Sequence, residues 1–251
     1  MNRYIKGLYM SFSMFCAVPL PLKIWDEKSM NLVLPCFPLV GGFIGLLWWG
    51  IFKIFASSGI HIMLASALLT LVPFILSGFL HLDGFMDTSD AVLSRRPIED
   101  KLRILKDPHP GSFAVIMLAA LFVLQFAAMF IITEKNNAPE LLIIIPIISR
   151  CCSAMSVCCL KTMDQSGLAK TFRQNTGARH KIFLVFIAAA AAALSYLFCG
   201  IAGFAVSAAL IAGFTGALTY TYKDLKGVSG DLAGHALVTG ELCALVVMAI
   251  I

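Results

Sequence analysis

Charge is scarce in this chain. Charged residues make up 13% of its 251 positions and hydrophobic ones 59%, whereas soluble domains hold an apolar share of about 45–50%. An ordinary water-soluble domain is excluded. Internal repeats, low-complexity tracts and linkers are also missing, so residues 1–251 are read as a single domain. No small-residue cleavage site follows the first apolar stretch, which excludes a cleaved signal peptide. That stretch, after Gly7, is closed by Pro19 and Pro21. It is too interrupted to span a bilayer and is expected to lie in the interface or to re-enter.

What is present is apolar sequence in long runs. Segments able to cross about 30 Å of hydrocarbon extend approximately over Met30–Phe55, Ile60–Leu80, Phe113–Thr133, Leu141–Leu160, Ile182–Cys199, Ile201–Tyr222 and Leu232–Ile251. The expected fold is an all-α, polytopic integral membrane bundle of about seven transmembrane helices. Basic residues orient it. With the N-terminus in the cytoplasm, Arg3, Lys6, Lys23 and Lys28, then Arg95, Arg96, Lys101, Arg103 and Lys106, then Lys161, Lys170, Arg173, Arg179 and Lys181, then Lys223 and Lys226 share one side. Only Lys53 and Lys135 fall opposite, a bias that the positive-inside rule reads as cytoplasmic loops. The same bias and anionic lipid account for the net charge of +5, and no nucleic-acid partner is implied. Cys151, Cys152, Cys158 and Cys159 lie within one span; adjacent helical residues point about 100° apart, so they read as inert buried thiols rather than a metal cage.

One span ends in the run His81-Leu82-Asp83-Gly84-Phe85-Met86-Asp87-Thr88-Ser89-Asp90. Aspartates spaced i, i+4, i+7 fall within about 60° of one another on a helix. Like charges so close repel unless a cation sits among them. A hard divalent ion such as Mg²⁺ takes carboxylate oxygens and keeps positions for water or phosphate. The plainer alternative is a solvated acidic helix start. His81 lies roughly opposite Asp83 on the helical wheel, which suits packing or support of the site. Arg150 stands inside an apolar helix, where a charge costs about 2.5–3.5 kcal/mol on insertion scales; it is either functional or paired internally with Glu241. Gly227 to His235 sets glycines around Asp231, and Lys106 to Gly111 is a turn carrying Asp107 and His109. Gly41-Gly42-Phe43-Ile44-Gly45 has the spacing of close helix packing.

Together the stretches HLDGFMDTSD (81–90), KDPHPGSF (106–113), SR (149–150), SGLAKTF (166–172) and SGDLAG (229–234) resemble the cobalamin synthase family, the adenosylcobinamide-GDP ribazoletransferases. The likeness runs nearly the whole length, and HLDGxxDTxD is its most specific part. Ala91, the Pro108-His109-Pro110 run and Gly227-Val228-Ser229 depart from the usual family pattern. The resemblance implies joining of α-ribazole, or its 5′-phosphate, to adenosylcobinamide-GDP with release of GMP, dependent on Mg²⁺, at the cytoplasmic face of a prokaryotic inner membrane. By carry-over, Asp83 and Asp87 are metal ligands. Asp90 either completes the metal site or accepts the proton of the attacking hydroxyl. Asp231 is the fourth carboxylate, shared between metal binding and catalysis, and Arg150, Lys106, His109 and His81 are substrate contacts. The lipid bilayer is a partner, and a homo-oligomer stays open. Two rival readings are a CDP-alcohol phosphotransferase, whose signature arginine is missing from Asp83-Gly84-Phe85-Met86-Asp87, and a transporter, which would want charges near the midplane rather than at one rim.

Overall fold

The Asn2 side chain accepts the Tyr4 N–H and starts α1, Arg3–Phe15, a helix of about 20 Å at 1.5 Å per residue and so too short to cross. In the computed structural model, which describes residues 1–22, 24–163 and 167–251, α1 packs on α2 (Val33–Ser57) and on the 3-10 turn Glu27–Leu32 before it. The chain continues through α3 (Ile62–Leu76), α4 (Leu80–Leu93), α5 (Ile98–Ile104), α6 (Ser112–Lys135), α7 (Leu141–Cys159), α8 (Gly167–Asn175), α9 (Ala178–Leu225) and α10 (Gly230–Ile250). Among the described residues the only strand-like feature is a bridge between Thr162 and Val228.

Five helical segments are long and apolar enough to cross a membrane, and six if the bent pair α3–α4 counts as one. The difference from the seven expected segments lies partly in α9. Its 48 residues would reach about 72 Å if straight, more than twice the hydrocarbon thickness. It is not straight: Gly200 has φ 60° and ψ −140°. Ser195 Oγ donates to the Gly203 carbonyl at 3.1 Å and meets Ser207 Oγ at 2.7 Å, although twelve residues of straight helix span about 18 Å. The chain therefore folds back at Gly200 into two arms, as the separate apolar runs on either side of that glycine foretell.

Gly41 and Gly45 face the backbone of α7: a Cβ on Gly45 would lie 2.6 Å from the Ile143 carbonyl. The small-residue spacing is thus a packing seam between α2 and α7, as expected. Trp48 is fully buried and donates its indole N–H to the Leu69 carbonyl at 2.9 Å, tying α2 to α3.

The basic segments meet at one end of the bundle. Lys101 Nζ lies 2.6 Å from Asp224, Met163 N–H donates to the Val228 carbonyl, Val228 N–H donates to the Lys161 carbonyl, and Ala17 N–H donates to the Leu76 carbonyl. At the other end Lys53 pairs with Glu140 at 3.4 Å, and Lys135 Nζ reaches the Ala249 carbonyl at 2.9 Å. Cysteines introduced at Ser94 and at Asn137 should consequently react with an impermeant maleimide from opposite faces of the membrane; labelling from one face would overturn this arrangement. Lys23 and Ser166, both in the sequence reading, lie outside the described residues.

Candidate active site

The acidic helix is aimed by a sharp turn. Gly78 and Phe79 both adopt left-handed backbone, φ 64° and 59°, a region that glycine enters freely and phenylalanine only under strain. Two such residues in succession turn α4 by 91° relative to α3. The helix then crosses the start of α10 at very close range. A Cβ on Gly84 would stand 2.7 Å from Asp231 Cα, so only glycine lets the two backbones touch there. On either side of that contact His81 packs on Gly234, and Phe85 stacks on His235 with ring centroids 5.1 Å apart.

This crossing gathers carboxylates that are far apart in the chain. Asp87 is partly buried and feels the charge of Asp83, then of Asp231, then of Asp90. Asp231 occupies the first turn of α10, where Ser229 caps the helix by accepting the Leu232 N–H and lies 3.2 Å from the Asp231 carboxylate; the free N–H groups and dipole of a helix start favour negative charge there. Asp90 is set slightly apart, its carboxylate pressed against Gly111 just before α6. Among the described residues no three His, Cys, Asp or Glu side chains close around a point to cage an ion unaided. The donor set is all oxygen and all anionic, and it suits a hard cation that completes its shell with water and phosphate rather than one held wholly by protein.

Two recesses flank the aspartates. One, about 480 Å³, is walled by residues of α1, α2, α4, α7, α8 and α10, with His81, Ser153, Ser229 and Asp231 as its polar members. The other, about 270 Å³, is polar and lined by Asp90, Ser94, Arg96, Asp107, His109 and Ser112. In it the His109 backbone N–H and ring hold the Asp107 carboxyl below the usual carboxylate range. His109 is thus placed beside Asp90, while Lys106 sits exposed on the same turn and lines neither recess.

Arg150 takes the internal alternative. It is 1% exposed, pairs with Glu241, and bonds Ser149 Oγ at 3.0 Å, while Ser149 Oγ donates to Glu241 at 2.6 Å. Glu241 lies ten residues beyond Asp231 on α10, about 15 Å along the axis, and Arg150 lines neither recess. This buried network links α7 to α10 and leaves Arg150 Nε without a partner. The cysteines of α7 are free; Cys151 and Cys158 are buried as expected, whereas Cys152 is half-buried and Cys159, at the end of the helix, is exposed.

Sequence reasoning read Arg96 only as a topology charge and Phe172 only within SGLAKTF, and passed over Phe15 and Phe37. The last two carried a signal as aromatics within apolar stretches, which does not distinguish a cavity wall from a core. Gly84 was visible as part of the motif, but its partner was not. Replacing it with valine should push α4 from α10 and cost about 1–3 kcal/mol through overpacking. Turnover should fall far more than thermal stability, as an activity assay beside a melting curve would register.

An all-helical membrane chain that collects four carboxylates at one end, beside two recesses, belongs to the class of membrane-embedded proteins with an acidic site. The family model of cobalamin-5-phosphate synthase matches residues 7–249, and the chain belongs to that family. It is 39% identical over 245 residues to an adenosylcobinamide-GDP ribazoletransferase of Clostridium botulinum (98% of this chain, 97% of the relative). It is 40% identical over 252 residues to that of Clostridium perfringens, with both chains covered completely. A Lachnoclostridium phytofermentans protein of the same name is 34% identical over 96% of this chain and 92% of its own length. No solved structure matches the chain.

Proposed function

We propose that this protein is a Mg²⁺-dependent adenosylcobinamide-GDP ribazoletransferase of the cytoplasmic membrane, working at its cytoplasmic face. The observation that carries the site is the contact of Asp231 with Gly84, which unites motifs about 140 residues apart. In the reaction a free ribose hydroxyl oxygen, one that the 5′-phosphate leaves unesterified, of α-ribazole or of its 5′-phosphate forms a bond to the phosphorus nearest the cobinamide. The bond from that phosphorus to the bridging diphosphate oxygen breaks, and GMP leaves with the electron pair.

Asp83, Asp87 and Asp231 would hold Mg²⁺, which supplies charge neutralisation for the diphosphate and for the leaving group. Asp90, set apart beside the polar recess, accepts the proton of the attacking hydroxyl, a task requiring an approach of about 3 Å. The start of α10 adds N–H groups directed at negative charge. His109 and Arg96 offer cationic or hydrogen-bonding contacts to phosphate from the polar recess. The basic end of the bundle faces the cytoplasm by the charge bias, so both substrates arrive from that side.

The test is to incubate purified protein in lipid nanodiscs with adenosylcobinamide-GDP, α-ribazole and Mg²⁺. GMP and a cobamide should appear in equal amounts. Nucleotide release without a cobamide, or neither product, would remove the assignment.

A further inference from the structure

We infer that the cavity beside Asp231 seats the aromatic base of the acceptor, a flat heteroaromatic riboside of low polarity, and that the guanine of the donor binds elsewhere. This deepens the proposed reaction and rests on it. The walls are apolar and aromatic: Phe15 and Phe37 have centroids 4.2 Å apart, and the His81 ring lies 6.3 Å from the first and 5.7 Å from the second. Phe172 and Leu168 of α8 and Val157 of α7 complete them.

His81 is only 6% exposed, borders the cavity, and leaves its Nε2 without a hydrogen-bond partner. Buried polar atoms are ordinarily paired, so this imidazole is an incomplete contact. A benzimidazole-type base, such as that of α-ribazole, matches the cavity on each count. Its faces and methylated edge are apolar, it stacks on aromatic rings, and its single free ring nitrogen asks little of the few polar groups in the cavity. Guanine presents polar atoms around most of its edge. Ser153, Ser229 and His81 cannot pair them all, Asp231 being committed to the cation in the proposed reaction, and each buried polar atom left unpaired lowers affinity.

Size points the same way. About 480 Å³ falls among pockets that accept a drug-sized molecule, about 300–1,000 Å³, and a corrin ring with its side chains and adenosyl group exceeds it. Position completes the argument. Asp231 stands on the cavity edge, so a base seated inside directs its ribose toward the carboxylates.

The full chain in nanodiscs supplies the test through Val157→Phe, which fills the cavity from α7. Ser153→Leu, a second filling on the same wall, serves if the first variant does not fold. The acceptor KM should rise about tenfold or more, while the donor KM and the kcat at saturating acceptor change by less than about threefold. Equilibrium dialysis of α-ribazole without donor should show the same loss. Wild-type protein should bind α-ribazole more tightly than the α-riboside of adenine, and His81→Gln should keep more of that preference than His81→Leu. A rise in donor KM instead, or unchanged α-ribazole dialysis in the filled variant, would overturn the assignment. If wild-type protein bound α-ribazole but formed no cobamide, the proposed reaction would fall, and dialysis alone would still decide the cavity.

Discussion

Asp87→Asn is expected to lower turnover by about 10²–10³-fold while leaving the protein as stable as before, or more so, in Mg²⁺-free buffer. The amide keeps the shape of the carboxylate and removes one charge from a group in which Asp83, Asp231 and Asp90 all repel it. Without a cation that repulsion is a cost, so neutralising Asp87 relieves it. With a cation the same charge is needed. Asp83→Asn should behave alike, and EDTA should reproduce both effects until Mg²⁺ is restored. Turnover at saturating Mg²⁺ beside melting curves with and without the ion separates this from a merely structural role. A variant that kept more than about a tenth of wild-type rate, a loss below about 1.4 kcal/mol, would remove its residue from the metal site.

Arg150→Ala should act in the opposite sense, on stability before chemistry. Arg150 and Glu241 have side chains 1% and 8% exposed and share Ser149 as a hydrogen-bonding partner. Removing the guanidinium leaves a carboxylate buried without its counter-charge, which costs about 3–5 kcal/mol in comparable cases. Replacing both residues with apolar ones of similar volume, Arg150→Met with Glu241→Leu, should recover much of that loss. A double-mutant cycle read by thermal unfolding in detergent measures the coupling. The Michaelis constant for the nucleotide substrate should stay near the wild-type value in whatever Arg150→Ala protein remains folded. A large rise in that constant with unchanged stability would place Arg150 against substrate after all.

The residues that carry the chemistry were legible in the sequence because their spacing is local. Asp83, Asp87 and Asp90 declare a common face by helical periodicity alone, and the lopsided lysines and arginines declare which loops share an end. The glycines around Asp231 marked it weakly, and only resemblance joined it to the acidic helix, since its approach depends on what Gly84 meets across an interface. The internal pairing of Arg150 was one of two readings that composition could not separate, because a buried charge announces a need for a partner without naming it. The sharp turn made by the two left-handed residues before α4 was hidden for a related reason. Apolar runs report how much chain can cross, while the angle between successive runs is set by one or two backbone dihedrals.

The 91° turn before α4 also decides what shape of molecule the carboxylates can serve. Asp83 and Asp90 are seven residues apart, about 10 Å along a helix axis. Had the chain continued in the direction of α3, that length would have been spent along the bundle, one carboxylate above another. Turned, it is laid crosswise, from the first turn of α10 at Asp231 to Gly111 at the head of α6. The acidic helix becomes a rail rather than a socket. Its two ends lie in different surroundings, one at the start of α10 and the other at the head of α6.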